Sequence, residues 1–273
     1  MPLCNLLVHL DSGERSAARL KLAADIARSR GARLTGLFAQ VAPAHQVGVV
    51  TDWPTADYTR AADASRAAFL AATGGLDAEW HDLNRGDEGE MLQLATDFAR
   101  HFDVIVLGQR HADNQLTPPD FAEQLILNTG RPVLVVPHAG VFEQVGARPV
   151  FAWSDSRCSA RGFFDGMTLV APGADTIVVG LAKPDDAAGL SYQKESLRLA
   201  VAQLAAHKVP AKLEQLALSE IGLMDALLKR AADHKADLLA IGAFGGRGYP
   251  LFSRGSGSRY MLKHMTVPVL FSH

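Results

Sequence analysis

The chain has 273 residues, 48% hydrophobic and 21% charged, with a net charge of -2; this is room for one large domain or two ordinary ones, with apolar material for a core, and argues against a disordered chain. The even charge excludes a general nucleic-acid binder, which carries a clear basic excess, and no apolar run approaches the roughly eighteen residues of a membrane span. Cys4 and Cys158 are the only cysteines and form no CxxC, which excludes a disulfide framework or zinc knuckle; without a secretory leader pattern, a reducing, cytoplasmic setting is expected.

In chain order, Leu3 to Leu10 is a strand-sized apolar run ending at Asp11-Ser12-Gly13, and Cys4 within it reads as a small buried apolar residue. Ser12 to Arg30 has helical periodicity through Ala17, Leu20, Ala24 and Ala27, closed by Gly31. Arg33 to Ala39 reads as a strand, Gln40 to Pro54 as a loop, Thr55 to Thr73 as an Ala-rich helix and Ala78 to Leu83 as a short strand. Gly86 to His101 is helical, with Met91, Leu94, Ala95 and Phe98 on one face. Asp103 to Gly108 and Pro132 to Pro137 are buried-type strands. Strands alternating with helices require parallel pairing through crossovers, and continuously apolar strands require cover on both faces.

The second half repeats the series. Strands are expected at Pro149 to Ser154, Asp175 to Ala182, Ala211 to Leu218, Asp237 to Gly242 and Val267 to Phe271. Helices are expected at Arg157 to Val170 (weakened by Gly162 and Gly166), Tyr192 to His207 and Ile221 to His234. Leu10-Asp11-Ser12 answers Ser154-Asp155-Ser156, Phe102-Asp103 through Gly108 answers Ala236-Asp237 through Gly242, and Arg131-Pro132-Val-Leu-Val answers Val267-Pro268-Val-Leu-Phe. Three landmarks in one order predict two tandem α/β domains, residues 1–140 and 147–273, rather than one long domain.

Ligands of open parallel sheets bind beyond the carboxyl ends of the strands. Two features of the second half fall there: Asp155, after its first strand, and the glycine-rich stretch from Gly242 to Ser256, after its fourth. Gly255-Ser256 opens the helix that runs to about His264, and a helix start offers unpaired N–H groups and a positive dipole end to an anion. Arg247, Arg254 and Arg259 add cations nearby. A flexible glycine loop with a serine cap stands as the plain alternative. No GxxxxGK[ST] loop occurs, and the glycines follow the fourth strand, so the stretch is neither a Walker A loop nor a dinucleotide fingerprint.

Glycine, two residues, glycine, nine residues, then Gly-Ser resembles the ATP-binding motif of the universal stress protein family, matched here by Gly242, Gly245, Gly255 and Ser256. The aspartate after the first strand and the Pro-Val-Leu last strand look similar too, so the resemblance spans essentially the whole chain as two copies. It implies two five-stranded, doubly wound parallel sheets of the adenine-nucleotide hydrolase-like kind, paired through their last strands as an intrachain pseudo-dimer. It also implies ATP as ligand, with Mg2+ or another divalent ion entering only with the nucleotide. By the same resemblance Asp155 meets the adenine and ribose side, and Gly242 and Gly245 flank ribose and phosphates. Gly255 and Ser256 hold the phosphates, and the backbone near Leu181 contacts adenine. Two departures stand out. Phe244 occupies a position that is histidine in many members, and the first copy has Gly108-Gln-Arg-His111 followed by Phe121-Ala122 in place of Gly-Ser, with Pro118 and Pro119 before it. The first copy is therefore expected not to bind ATP in the family manner, and Asp11 reads equally well as a helix cap.

No HExxH, GxSxG or local cysteine–histidine pattern marks a catalyst. His101, His111 and Asp113 are near in sequence but read as solvated, so no metal site is assigned; His234 and His264 read as caps of helix ends. Trp53, Trp80 and Trp153 read as core or edge residues. The leading expectation is an ATP-binding stress-response or signalling module with an unidentified protein partner. Further homodimerisation is left open, and neither nucleic acid nor membrane is involved. The alternatives are a nucleotide-independent interaction or small-ligand-binding protein, working through the first copy or the Gln40 to Pro54 loop, and a slow ATPase.

Overall fold

The computed structural model describes residues 3–42, 45–47, 50–111, 115–182, 187–217, 222–245 and 255–273. It divides into two compact units, Pro2–Glu143 and Gln144–His273.

The first unit runs β1 (Asn5–Leu10), α1 (Ser16–Arg30), β2 (Arg33–Phe38), β3 (His45–Val47), β4 (Val50–Asp52), α2 (Ala56–Ala72), β5 (Ala78–Asp82), α3 (Glu88–Ala99), β6 (Val104–Gly108), α4 (Phe121–Asn128) and β7 (Val133–Val136). Its sheet has the order β7-β6-β1-β2-β5, and every neighbouring pair is parallel. The span expected to be a plain loop, Gln40 to Pro54, contains instead the antiparallel pair β3–β4, because Val47, Val50 and Thr51 favour extended backbone between turn residues. Thr55 caps α2 by accepting from the Tyr58 N–H, and Asp87 caps α3 through the N–H groups of Gly89 and Glu90.

The second unit runs β8 (Pro149–Trp153), α5 (Arg157–Met167), β9 (Thr176–Ala182), α6 (Ala187–Ala206), β10 (Ala211–Ala217), α7 (Leu223–Asp233), β11 (Leu238–Gly242), α8 (Ser256–His264) and β12 (Val269–Ser272). Its order is β10-β9-β8-β11-β12, again with every neighbouring pair parallel. Helix α6 begins at Ala187, five residues before the expected Tyr192. The fold class is thus α/β with parallel, doubly wound sheets. The central strands Val104 to Leu107, Val133 to Val136, Leu238 to Ile241 and Val269 to Ser272 are buried along their length, as helices on both faces require. No helix among the described residues is long and apolar enough to cross a membrane.

The repeated aspartate of the fourth strand of each copy has one structural task. Asp103 Oδ2 accepts from the backbone N–H groups of Cys4 and Asn5, 2.9 Å each. Asp237 accepts from those of Gly146, Ala147 and Arg148 at 2.9–3.1 Å. Each carboxylate satisfies backbone donors at the entry to its own first strand. Cys4 consequently lies just before β1 and is exposed, not buried as its apolar neighbours suggest.

Helix α5 forms despite Gly162 and Gly166, which together cost about 1–2 kcal/mol of helix propensity. Their missing side chains let the helix lie on the sheet. A Cβ on Gly162 would stand 2.6 Å from the Ile241 carbonyl, and one on Gly166 2.7 Å from the Phe151 ring.

Candidate functional site

In each sheet the first strand lies between the second and the fourth, so connections leave it in opposite directions and a crevice opens at the carboxyl ends of the first and fourth strands. In the second unit those are β8 and β11. Asp155 follows β8 and is exposed. Its Oδ1 accepts a hydrogen bond from the Ser196 hydroxyl of α6, and Ser196 Oγ accepts in turn from Trp153 Nε1 at 2.8 Å. Ser156 caps α5 through the Ser159 N–H.

Gly242 ends β11. Its missing side chain has an internal use, since a Cβ would stand 2.3 Å from the backbone C of Cys158 and N of Ser159. Among the described residues, a Cβ on Gly245 would meet Cys158 Cβ at 3.5 Å and Sγ at 3.6 Å, ordinary contacts. Between them Phe244 adopts a positive φ of 52°, a conformation that costs a bulky residue about 1–3 kcal/mol and clusters at ligand sites. The Phe244 N–H donates to Ser258 Oγ at 2.8 Å, tying the end of β11 to the first turn of α8.

Gly255 precedes α8 with φ 84°, a left-handed turn that glycine adopts without strain. Ser256 is the first residue of α8, and its Oγ is buried without a hydrogen-bond partner among the described residues. An orphaned buried hydroxyl is uncommon and costs roughly 1–3 kcal/mol. The Phe244 ring lies against Gly255, where a Cβ would be 2.6 Å from its Cδ1, and the Arg259 guanidinium stands 5.9 Å from the ring centroid. The structure thus brings Gly242, Gly245, Phe244, Gly255, Ser256 and Arg259 to the end of β11. Asp155 is placed at the neighbouring strand end. Leu181 lies on β9, which pairs with β8. Arg247 and Arg254 lie outside the described residues.

The equivalent crevice of the first unit, beyond β1 and β6, is filled by its own side chains. Arg19 of α1 is buried; its Nε donates to the His9 carbonyl at 2.7 Å and its Nη2 to Asp11 Oδ2 at 3.0 Å. Its Nη1 takes the space at Gly108, where a Cβ would stand 2.3 Å away. Burial alone would raise the Asp11 carboxyl, but Arg19, His9 and the Gly13 N–H together hold it below the ordinary carboxylate range. His9 Nε2 donates to the Ala39 carbonyl at 2.7 Å, and burial lowers its pKa from 6.5 to about 4, so it is neutral near pH 7. Phe121, where the second copy has Gly255, is buried with its ring 5.0 Å from that of His9. A backbone bond from the Val41 N–H to the Leu116 carbonyl, 2.8 Å, crosses the same region.

Asp11 is therefore not the cap of α1, whose N-cap is Arg15; its Oδ1 accepts from the Gly13 N–H at 2.9 Å, and its other oxygen belongs to Arg19. Sequence reasoning missed Arg19 and Ser196. A lone arginine inside an otherwise apolar helical stripe was the legible signal for the first, and nothing in the pattern marks the second. Among the described residues, no three His, Cys, Asp or Glu are grouped to hold a metal ion. His111 stacks on His138 at 4.7 Å, while Asp113 lies outside the described residues. His234 closes α7 as its C-cap residue and His264 lies in the last turn of α8.

The family model described as the universal stress protein family matches residues 4–137. That is the copy with the departed glycine pattern, so the match follows the domain as a whole rather than the ligand motif. Curated protein sequences give no significant match. Among solved structures, a universal stress protein from Archaeoglobus fulgidus DSM 4304 is similar with TM-score 0.68 at 16% identity, covering 98% of this chain and 97% of that chain. A protein of Pseudomonas aeruginosa PAO1, described as functionally unknown, has TM-score 0.62 at 16% identity over 99% of this chain and 92% of that chain. A universal stress protein from Archaeoglobus fulgidus in complex with dAMP covers 50% of this chain and 98% of that chain at 21% identity, TM-score 0.35. At these identities the structural likeness is one of fold. Matched by the family model over residues 4–137, the N-terminal copy is a domain of the universal stress protein family, and the chain shares that fold along its length.

Proposed function

We propose that the chain is an adenine-nucleotide-binding stress-response module with one site, in the second copy. In this reading the N–H groups of the first turn of α8 and the Ser256 hydroxyl take the phosphates, with Gly255 leaving room for close approach. Gly242 and Gly245 flank ribose and phosphates, Asp155 takes hydrogen bonds from the nucleoside, and the backbone at Leu181 lies beside the base. ATP is the proposed nucleotide, accompanied by a divalent ion that the phosphates themselves would recruit.

The observation that carries the reading is the buried Ser256 Oγ at a helix start, without a hydrogen-bond partner among the described residues, next to a residue held at positive φ. An anion there would satisfy the hydroxyl and the free N–H groups together. The Phe244 ring lies against Gly255, the residue that the phosphate would approach. Calorimetry with purified protein is expected to give one ATP per chain; two would refute the assignment of a closed first copy. The double variant Gly245→Val, Ser256→Ala is expected to abolish binding, and unchanged affinity would move the site elsewhere.

The same Phe244 contact favours a second reading, a nucleotide-independent interaction protein. The result that selects it is the absence of any copurifying nucleotide together with no thermal shift on adding ATP.

A further inference from the structure

Ser196 of α6 is buried, 9% exposed, and stands between two groups of β8 and its exit: it accepts from Trp153 Nε1 at 2.8 Å and donates to Asp155 Oδ1. The direction of this chain is fixed by chemistry. An indole nitrogen can only donate and a carboxylate can only accept. The hydroxyl proton must therefore point at Asp155. Trp153 is itself held by the Phe163 ring at 5.1 Å, so the relay is anchored in the core while its far end, Asp155, is exposed.

We propose that Ser196 is a positioning residue for the ligand site of the second copy, holding the Asp155 carboxylate in one rotamer so that its other oxygen, Oδ2, receives a neutral donor of the ligand, a sugar hydroxyl or a ring amino group. The inference rests on the reading of that strand end as a nucleotide site. An exposed carboxylate left to itself samples several rotamers and loses entropy when a ligand orders it. Fixing it beforehand removes that cost. The site is thereby polarised: a carboxylate at the end of β8 repels phosphate, whereas the start of α8 and Arg259 attract it. A ligand that is neutral and rich in donors at one end and anionic at the other fits this arrangement, and a bare polyphosphate uses only half of it. Trp153, hydrogen-bonded to the same hydroxyl, reports occupancy, because a ligand that draws on Asp155 changes the polarisation along the chain.

The test compares ATP with inorganic tripolyphosphate on the full chain, by calorimetry and tryptophan emission. Ser196→Ala is expected to weaken ATP binding roughly ten-fold, the scale of one hydrogen bond to a charged group, and to leave tripolyphosphate binding unchanged; Ser196→Thr, which keeps the hydroxyl, is expected to restore ATP binding to within about two-fold. Addition of ATP should shift the emission of the wild type but not of Trp153→Phe. Equal ATP affinity in Ser196→Ala overturns the inference, as does a parallel loss for tripolyphosphate, which is what a merely structural role would give. Should Ser196→Ala fail to fold, Ser196→Cys, whose thiol is of similar size but a far weaker donor, must show the same ATP-selective loss. A wild-type protein that takes up neither ligand refutes the nucleotide reading and the inference with it, while ATP binding by the wild type with no ATP-selective loss in Ser196→Ala refutes the inference alone.

Discussion

The same strand-end crevice is built twice in this chain and completed in opposite ways. In the first copy the aspartate after the leading strand is buried and neutralised by Arg19, the glycine of the fourth strand faces that guanidinium, and Phe121 packs at a tilt against His9. In the second copy the aspartate is exposed and held by a serine, the glycine faces helix backbone, and a left-handed glycine opens onto an unpartnered hydroxyl. One copy has turned its crevice into core; the other keeps, among the described residues, a buried hydroxyl unsatisfied at it. An unsatisfied buried group lowers stability, and its place at the strand-end crevice is what separates a candidate site from a scaffold.

The largest effect expected from this contrast is on the buried pair. Arg19→Ala should destabilise the first unit by about 3–5 kcal/mol, because it strands a buried carboxylate. Asp155→Ala should change the second unit by less than about 1 kcal/mol, since its carboxylate is already exposed. Amide hydrogen exchange read separately in β1 and β8 measures both, and equal losses would break the comparison.

Acid should act next, and on the first copy. The folded pKa of His9 is lowered to about 4 from 6.5, so between those values the unfolded chain takes up a proton that the folded chain refuses. Stability is therefore intact above about pH 6.5 and falls by about 3 kcal/mol toward pH 4. Asp11, whose folded value is also depressed, adds its own loss only at still lower pH. His9→Gln, which keeps a donor for Ala39, should flatten the pH 4–6.5 slope in denaturant titrations.

A smaller split is expected for the two strand-end glycines. Gly242→Ala forces a methyl onto the backbone of Cys158 and Ser159 and should cost about 1–3 kcal/mol. Gly108→Ala meets the end of a side chain, Arg19 Nη1, which can give way; its melting temperature should drop less. The mildest expected change is in affinity: Phe244→Ala removes the ring that lies against Gly255 and should tighten nucleotide binding roughly three-fold, less than 1 kcal/mol, seen by calorimetry.

The architecture was largely legible in the residues. Apolar strands such as Val104 to Leu107, and landmark pairs such as Asp103 and Asp237, carry their period and order on their face. Ends were less so. Helix α6 starts at Ala187 because Ala and Gly blur a helix start, and the β3–β4 pair hides among Pro and Gly. At the candidate site the spacing of Gly242, Gly245, Gly255 and Ser256 marks the stretch, but not what each glycine does. Gly242 serves packing on α5, a fact that depends on Gly162, eighty residues earlier in the chain. Ser196 was invisible for the same reason: its partners, Trp153 and Asp155, are more than forty residues away, and no periodicity encodes such a meeting.

The carboxylates of Asp103 and Asp237 bear on the order of events during synthesis. Each accepts N–H groups from residues 89 to 99 positions earlier in the chain. The leading strand of either copy can be fastened only after its fourth strand has emerged from the ribosome, so each half completes as a unit late in its own translation. The fastener of the first half is finished before residue 144 is made.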